Sequence, residues 1–127
     1  MGKNNSILKD KSYKFSVRIV KLCQFLQEEK REYILSKQII RSGTSIGASI
    51  FEAEYAQSNL DFIHKFSVSL KEANETLYWL SLLKDTDYLD LKLFESLYND
   101  CDEIVSMLVS TIKTLKTKTH NSKTLNS

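Results

Sequence analysis

Apolar residues recur at steps of three and four along most of the chain, a spacing that gathers them on one side of a helix with 3.6 residues per turn. The pattern predicts four amphipathic helices. Ser12 can cap the first, which carries Phe15, Ile19, Leu22, Cys23 and Leu26 and ends in the charged run 28–32. The second runs from Leu35 to about Ala56, with Leu35, Ile39, Gly43, Ile46, Gly47, Ile50 and Ala53 in one stripe. Ser58 followed three residues later by Asp61 reads as a capped start for the third, through Phe62, Phe66, Leu70, Ala73, Leu77 and Leu80 to about Lys84. Asp90 caps the fourth, which continues through Phe94, Tyr98, Cys101, Ile104, Leu108 and Ile112 to Leu115. No strand-like alternation, internal repeat or Gly/Pro-rich linker interrupts this series. Short connections make consecutive helices antiparallel neighbours. The expected fold class is therefore all-α, an antiparallel up-down-up-down four-helix bundle over residues 12–116. A basic tail, 1–11, and a polar tail, 117–127, have little to bury and are expected to be flexible.

The length of 127 residues allows one domain with a core of its own, and 42% hydrophobic against 27% charged residues suits a globular chain. No apolar run reaches membrane-spanning length and no signal-peptide core is present, so a cytoplasmic protein without membrane contact is expected. Cys23 and Cys101, both among apolar residues, are expected to be buried free thiols. The opening Met1-Gly2 fits a loose myristoylation pattern, and Asn4 and Asn74 fit the glycosylation triplet; neither has a supporting context in the sequence.

Charge is strongly segregated beneath a net +2. Residues 1–41 hold ten Lys/Arg and four acids, residues 42–112 hold four and twelve, and residues 113–127 hold four lysines and no acid. The up-down topology brings the chain ends together, so Lys9, Lys11, Lys14, Arg18 and Lys21 on helix 1 and Lys113, Lys116, Lys118 and Lys123 near the other terminus form a candidate nucleic-acid-binding patch. The competing reading is that these charges only confer solubility.

Helix 3 carries apolar residues beyond its core stripe, including Tyr78, Trp79 and Leu82, and helix 2 adds Phe51 and Tyr55. Aromatic residues in excess of what one core can cover point to an interface, so these five are expected to support self-association. The alternative for Trp79 is that it fills a gap between helices of one bundle. Gly43 and Gly47 suit a close helix approach.

Candidate chemistry is sparse. Asp61-Phe62-Ile63-His64 is a single carboxylate-x-x-His pair where a bundle-core metal centre needs two with further carboxylates, so no metal site is expected. His64 reads as a surface residue and His120 falls in the tail. No nucleophile triad, P-loop or dinucleotide fingerprint occurs, and Glu72 with Glu75 reads as a solvated charged face. No catalytic residue, cofactor or small-molecule substrate is expected.

The stretch Leu35-Ser36-Lys37-Gln38-Ile39-Ile40-Arg41-Ser42-Gly43-Thr44-Ser45-Ile46-Gly47-Ala48-Ser49-Ile50-Phe51-Glu52-Ala53 resembles the signature of four-helix-bundle proteins encoded in intervening sequences of 23S rRNA genes. Asp61-Phe62-Ile63-His64-Lys65 and the run from Leu70 to Leu80 resemble that family's third helix, and the likeness covers most of residues 12–115. Ser49 stands where the family commonly has Asn. The resemblance implies a bacterial homopentamer, distantly similar to accessory proteins of diversity-generating retroelements that bind nucleic acid and a reverse transcriptase, with no established catalytic activity. Arg41, Ser42, Ser45, Gly47, Glu52, Lys71, Glu72, Glu75, Tyr78 and Trp79 match the signature; Arg41 and Glu52 are candidates for a polar layer between helices or subunits. Together these readings lead to a non-enzymatic homo-oligomer associated with RNA or DNA. The rival is a protein-interaction adaptor that docks a helical partner on its apolar helix 3 face.

Overall fold

The computed structural model describes the backbone of residues 3–125 and the side chains of residues 5–120. Four helices follow one another among these residues: α1 (Lys3–Glu28), α2 (Leu35–Ala53), α3 (Asn59–Asp85) and α4 (Leu91–Leu125). Each is antiparallel to the next, because contacts between them run in opposite order. Gly43 meets Ile19 while Gly47 meets Ser12 and Ser16. Ser69 Oγ donates to Ile46 O at 2.8 Å, and the Thr76 and Ser42 hydroxyls lie 2.9 Å apart. Cys101 Sγ donates to Ala73 O, while Lys84 lies over the Phe94 ring. Lys11 meets Glu103 and Arg18 meets Asp100, which places α4 antiparallel beside α1 and makes the whole a four-helix bundle.

The helix starts and stops have local causes. Ser58 Oγ accepts from Asp61 N at 3.1 Å and Asp61 Oδ2 accepts from Gln57 N, so the third helix begins with a reciprocal cap. Asp90 Oδ1 accepts from Leu93 N at 2.8 Å and starts α4. The end of α3 is closed by Tyr88 N to Leu83 O and Asp87 N to Lys84 O, with Asp87 left-handed at φ 68. That pair of bonds is the usual way a helix turns off, and Asp tolerates a conformation that glycine would take more readily. Between α1 and α2, Glu32 is buried and its carboxylate accepts from Ile34 N and Ser36 N. It thereby caps α2, whose preceding residue Ile34 has no side-chain oxygen to offer.

Two boundaries differ from the sequence reading. Helix α1 starts at Lys3 rather than Ser12, and Ser12 is a buried mid-helix residue whose hydroxyl donates to Lys9 O at 3.0 Å. Leu8, Ser12, Phe15, Ile19 and Leu22 form one stripe in which a single small polar residue interrupts the apolar period, and Leu8 has no exposed surface. At the other end α4 runs to Leu125 rather than stopping near 116. Residues 1–2 and 126–127, including the start of the myristoylation pattern, lie outside the described residues, as does the side chain of Lys123.

The core joins all four helices, with Phe15 and Phe66 its largest fully buried side chains. The glycines decide how closely α1 approaches α2: a Cβ on Gly43 would stand 2.8 Å from both Ile19 Cγ atoms, and one on Gly47 3.1 Å from Ser16 Oγ. The α2–α3 seam contains Ser42, Ser69 and Thr76, all buried and hydrogen-bonded, where an apolar stripe alone would be expected.

Candidate nucleic-acid interface

The cations expected to form one patch are divided by the fold into two groups. On α1, four of the five are close to carboxylates: Lys9 lies 2.6 Å from Glu54, Lys11 2.7 Å from Glu103, Lys14 3.0 Å from Asp10, and Arg18 2.6 Å from Asp100. Arg18 also donates to Ser96 Oγ at 3.0 Å, so its planar guanidinium ties α1 to α4. This side of α1 is a zipper between helices more than a free basic surface. Lys21 alone of the five has no ion pair among the described residues, and it borders a cavity of about 210 Å³ floored by Leu22, Phe25, Leu93 and Leu97.

The second group lies on α4. Lys113, Lys116 and Lys118 are exposed and make no ion pair among the described residues, and no acid follows Glu103 in the chain. Counting residues from the Ala73–Cys101 contact, α4 passes the first residue of α3 near Leu115. Its last ten residues, about 15 Å at 1.5 Å per residue, therefore run beyond the bundle. Ile112 is still buried and Leu115 half-buried, with exposed Lys113 between them and exposed Lys116 and Lys118 after them. The sequence pattern places Lys113 and Lys116 at the end of the fourth helix and Lys118 in a flexible tail, whereas the helix continues through Lys118 to Leu125.

The five aromatic and apolar residues expected at an oligomer interface do not form one surface. Phe51 and Tyr55 lie at the C-terminal end of α2, exposed by 52% and 73%, with ring centroids 5.9 Å apart. Tyr78 is 60% exposed on α3, but Trp79 and Leu82 are half-buried. Trp79 packs against the core, with its indole Nε1 buried and without a hydrogen-bond partner among the described residues. Because α2 and α3 are antiparallel, the two groups occupy opposite ends of that helix pair. What the fold does add to Phe51 is Tyr13 of α1, 70% exposed, across a groove of about 460 Å³ that also takes in Lys9, Asp10, Ser16, Gly47 and Glu54. Tyr13 was absent from the sequence-level candidates because nothing in its own helix marks it as part of a cleft.

The signature residues are mainly structural in placement. Arg41 does not pair with Glu52; it reaches across to α3, with Nη2 2.7 Å from Glu75 and Nη1 3.4 Å from Glu72. Glu52 instead meets Lys65 at 3.4 Å. Glu72 and Glu75 are thus not a freely solvated face, since the Glu72 side chain is only 14% exposed. Burial and the neighbouring Glu75 charge push the Glu72 carboxyl above its ordinary range, against the pull of Arg41. Ser45 Oγ donates to Arg41 O, Ser42 lies in the buried α2–α3 layer, and Lys71 is exposed. Ser49, at the position where the family commonly has Asn, is buried on α2.

Among the described residues no three His, Cys, Asp or Glu side chains are grouped to hold a metal ion, and no helix is long and apolar enough to cross a membrane. His64 is exposed on α3. Cys23 and Cys101 are buried free thiols, and burial pushes the Cys101 thiol up to about 12.

A crystal structure of a protein of unknown function from the S23 ribosomal protein family of Bacteroides thetaiotaomicron VPI-5482 superposes with a TM-score of 0.86 at 55% sequence identity, covering 87% of this chain and 98% of the other. No curated protein matches it. The family described as 23S rRNA-intervening sequence protein matches over residues 4–110, with the same helices that the signature motifs occupy. A match across most of the length, joined to a close structural relative with the same bundle, places the chain in the 23S rRNA-intervening sequence protein family.

Proposed function

We propose that this protein is a non-enzymatic, homo-oligomeric helical bundle that associates with nucleic acid through the C-terminal extension of α4. The observation that carries the reading is the C-terminal part of α4, which bears Lys113 at the rim of the bundle and Lys116 and Lys118 beyond it, all exposed and without acid partners among the described residues, on a bundle whose α1 cations are largely matched by carboxylates. Such a helix offers phosphates unneutralised ammonium groups on more than one side and no built groove for reading bases, so binding is expected to be electrostatic and indifferent to sequence. Oligomerisation would repeat the extension and add its field across subunits. The exposed ring of Tyr78 supplies apolar area for such assembly.

The test is a salt titration of binding to a generic single-stranded RNA, with subunit number measured by light scattering on the same sample. Affinity should fall steeply with salt, and changing Lys113, Lys116 and Lys118 together to Gln should reduce the logarithmic slope by about two. Changing Lys11 to Gln should have little effect on that slope, because its partner is Glu103. Binding that ignores salt, or a triple variant that binds like the native protein, refutes the reading. The second reading, an adaptor for a helical partner, is favoured by the exposure of Tyr78 in edge-to-face contact with Trp79, ring centroids 5.0 Å apart. It predicts that Tyr78→Ala abolishes partner capture without altering RNA binding.

A further inference from the structure

We propose that the groove between α1 and α2, at the end of the bundle from which α4 projects, holds an unpaired base of a single-stranded nucleic acid; this rests on the nucleic-acid reading above and names the form of strand it favours. The groove encloses about 460 Å³, within the size range of small-ligand sites. Tyr13 and Phe51 stand on its two helices, 70% and 52% exposed, and Tyr55 extends the aromatic surface from Phe51. Exposed aromatic faces beside a cationic track are how proteins hold single strands without reading sequence, because every base has a face that stacks. Gly47 borders the groove where α1 and α2 approach closely, a Cβ there standing 3.1 Å from Ser16 Oγ.

The charges on the rim sort base from phosphate. Lys9 Nζ sits 5.3 Å from the Phe51 ring centroid and 2.6 Å from Glu54, in an exposed ion pair that is weak enough to yield to a phosphate. Asp10 and Glu54 carry acceptors only, which suit the amino groups on base edges and repel phosphate from the interior of the groove. The base therefore enters while the backbone stays outside, towards Lys9. In a duplex the faces of internal bases are already stacked, so this site distinguishes single strands from double strands where the lysines alone do not.

The experiment measures binding of a single-stranded RNA of mixed sequence, and of its duplex, to the native full-length chain and to Phe51→Ala, Tyr13→Ala and the triple Lys113/Lys116/Lys118→Gln variant. Both aromatic side chains are largely exposed, so their removal leaves the core intact. The expected result is a loss of about tenfold in single-strand affinity for each aromatic variant, with duplex affinity and salt slope unchanged. A 2-aminopurine base in the strand should also change its fluorescence on binding to the native protein and not to Phe51→Ala. If the aromatic variants bind single strands like the native chain while the lysine variant does not, the groove is not a base site and the nucleic-acid reading survives alone. If the native protein binds neither RNA, both fall. A drop in light-scattering mass for Phe51→Ala with single-strand binding unchanged would make the groove a contact between copies of the chain and overturn the inference.

Discussion

Glu72 is a carboxylate on a helix face that the sequence presents as open to water, yet Arg41 of α2 lies against it and leaves it mostly covered. Burial disfavours its charged form and Glu75 adds repulsion, so its proton is held to higher pH than in the unfolded chain, where the ordinary value is 4.5. A raised folded value means that the group's contribution to stability is full below about pH 4.5 and is lost as pH rises through the folded value. Glu72→Gln should therefore flatten that part of the stability curve; urea midpoints taken between pH 4 and pH 7 that keep the native slope would refute it. Neither the burial nor the partner could be read from the motif, because Arg41 and Glu72 are 31 residues apart and meet only when α2 packs on α3.

At the scale of elements, the crossing of α1 and α2 is set by what Gly43 lacks. A methyl group there would overlap Ile19, which has no exposed surface and no room to retreat. Overpacking of this kind costs about 1–3 kcal/mol, partly offset by the roughly 1 kcal/mol that Ala gains over Gly in a helix, so Gly43→Ala should destabilise by up to about 2 kcal/mol. Combining it with Ile19→Ala should destabilise less than the sum of the two single changes, by chemical denaturation, and strict additivity would show that the contact is not the cause. The glycine spacing was legible in advance, as were the caps at Ser58 and Asp90, because each depends on residues within four positions. The start of α1 was not, since Ser12 has the residue type of a cap and only the burial of Leu8 reveals that the helix continues through it. The far end of α4 was hidden for a related reason: a polar lysine-rich stretch has no apolar period to mark it as helix.

For the molecule as a whole, Cys23 on α1 and Cys101 on α4 are buried thiols far apart in the chain, Cys101 being part of the shared core. Burial raises both thiols, Cys101 to about 12, so neither is a ready thiolate in the native state. Labelling by an aromatic disulfide reagent at pH 8 should be slower than in urea by more than about a thousandfold for both, following global unfolding. Rapid native labelling of either one would reveal local opening of its helix. The sequence by itself determined the number, order and pairing direction of the helices and most of the core, because these follow from a short-range period, local caps and short connections. Only the tertiary structure decided which charges remain available. Ion pairs such as Lys9–Glu54 and Arg18–Asp100 join residues 45 and 82 positions apart, and no local pattern encodes such a pairing. Packing consumed the basic face of α1, drew Trp79 inward, and set Tyr13 opposite Phe51 across a groove that neither helix possesses alone.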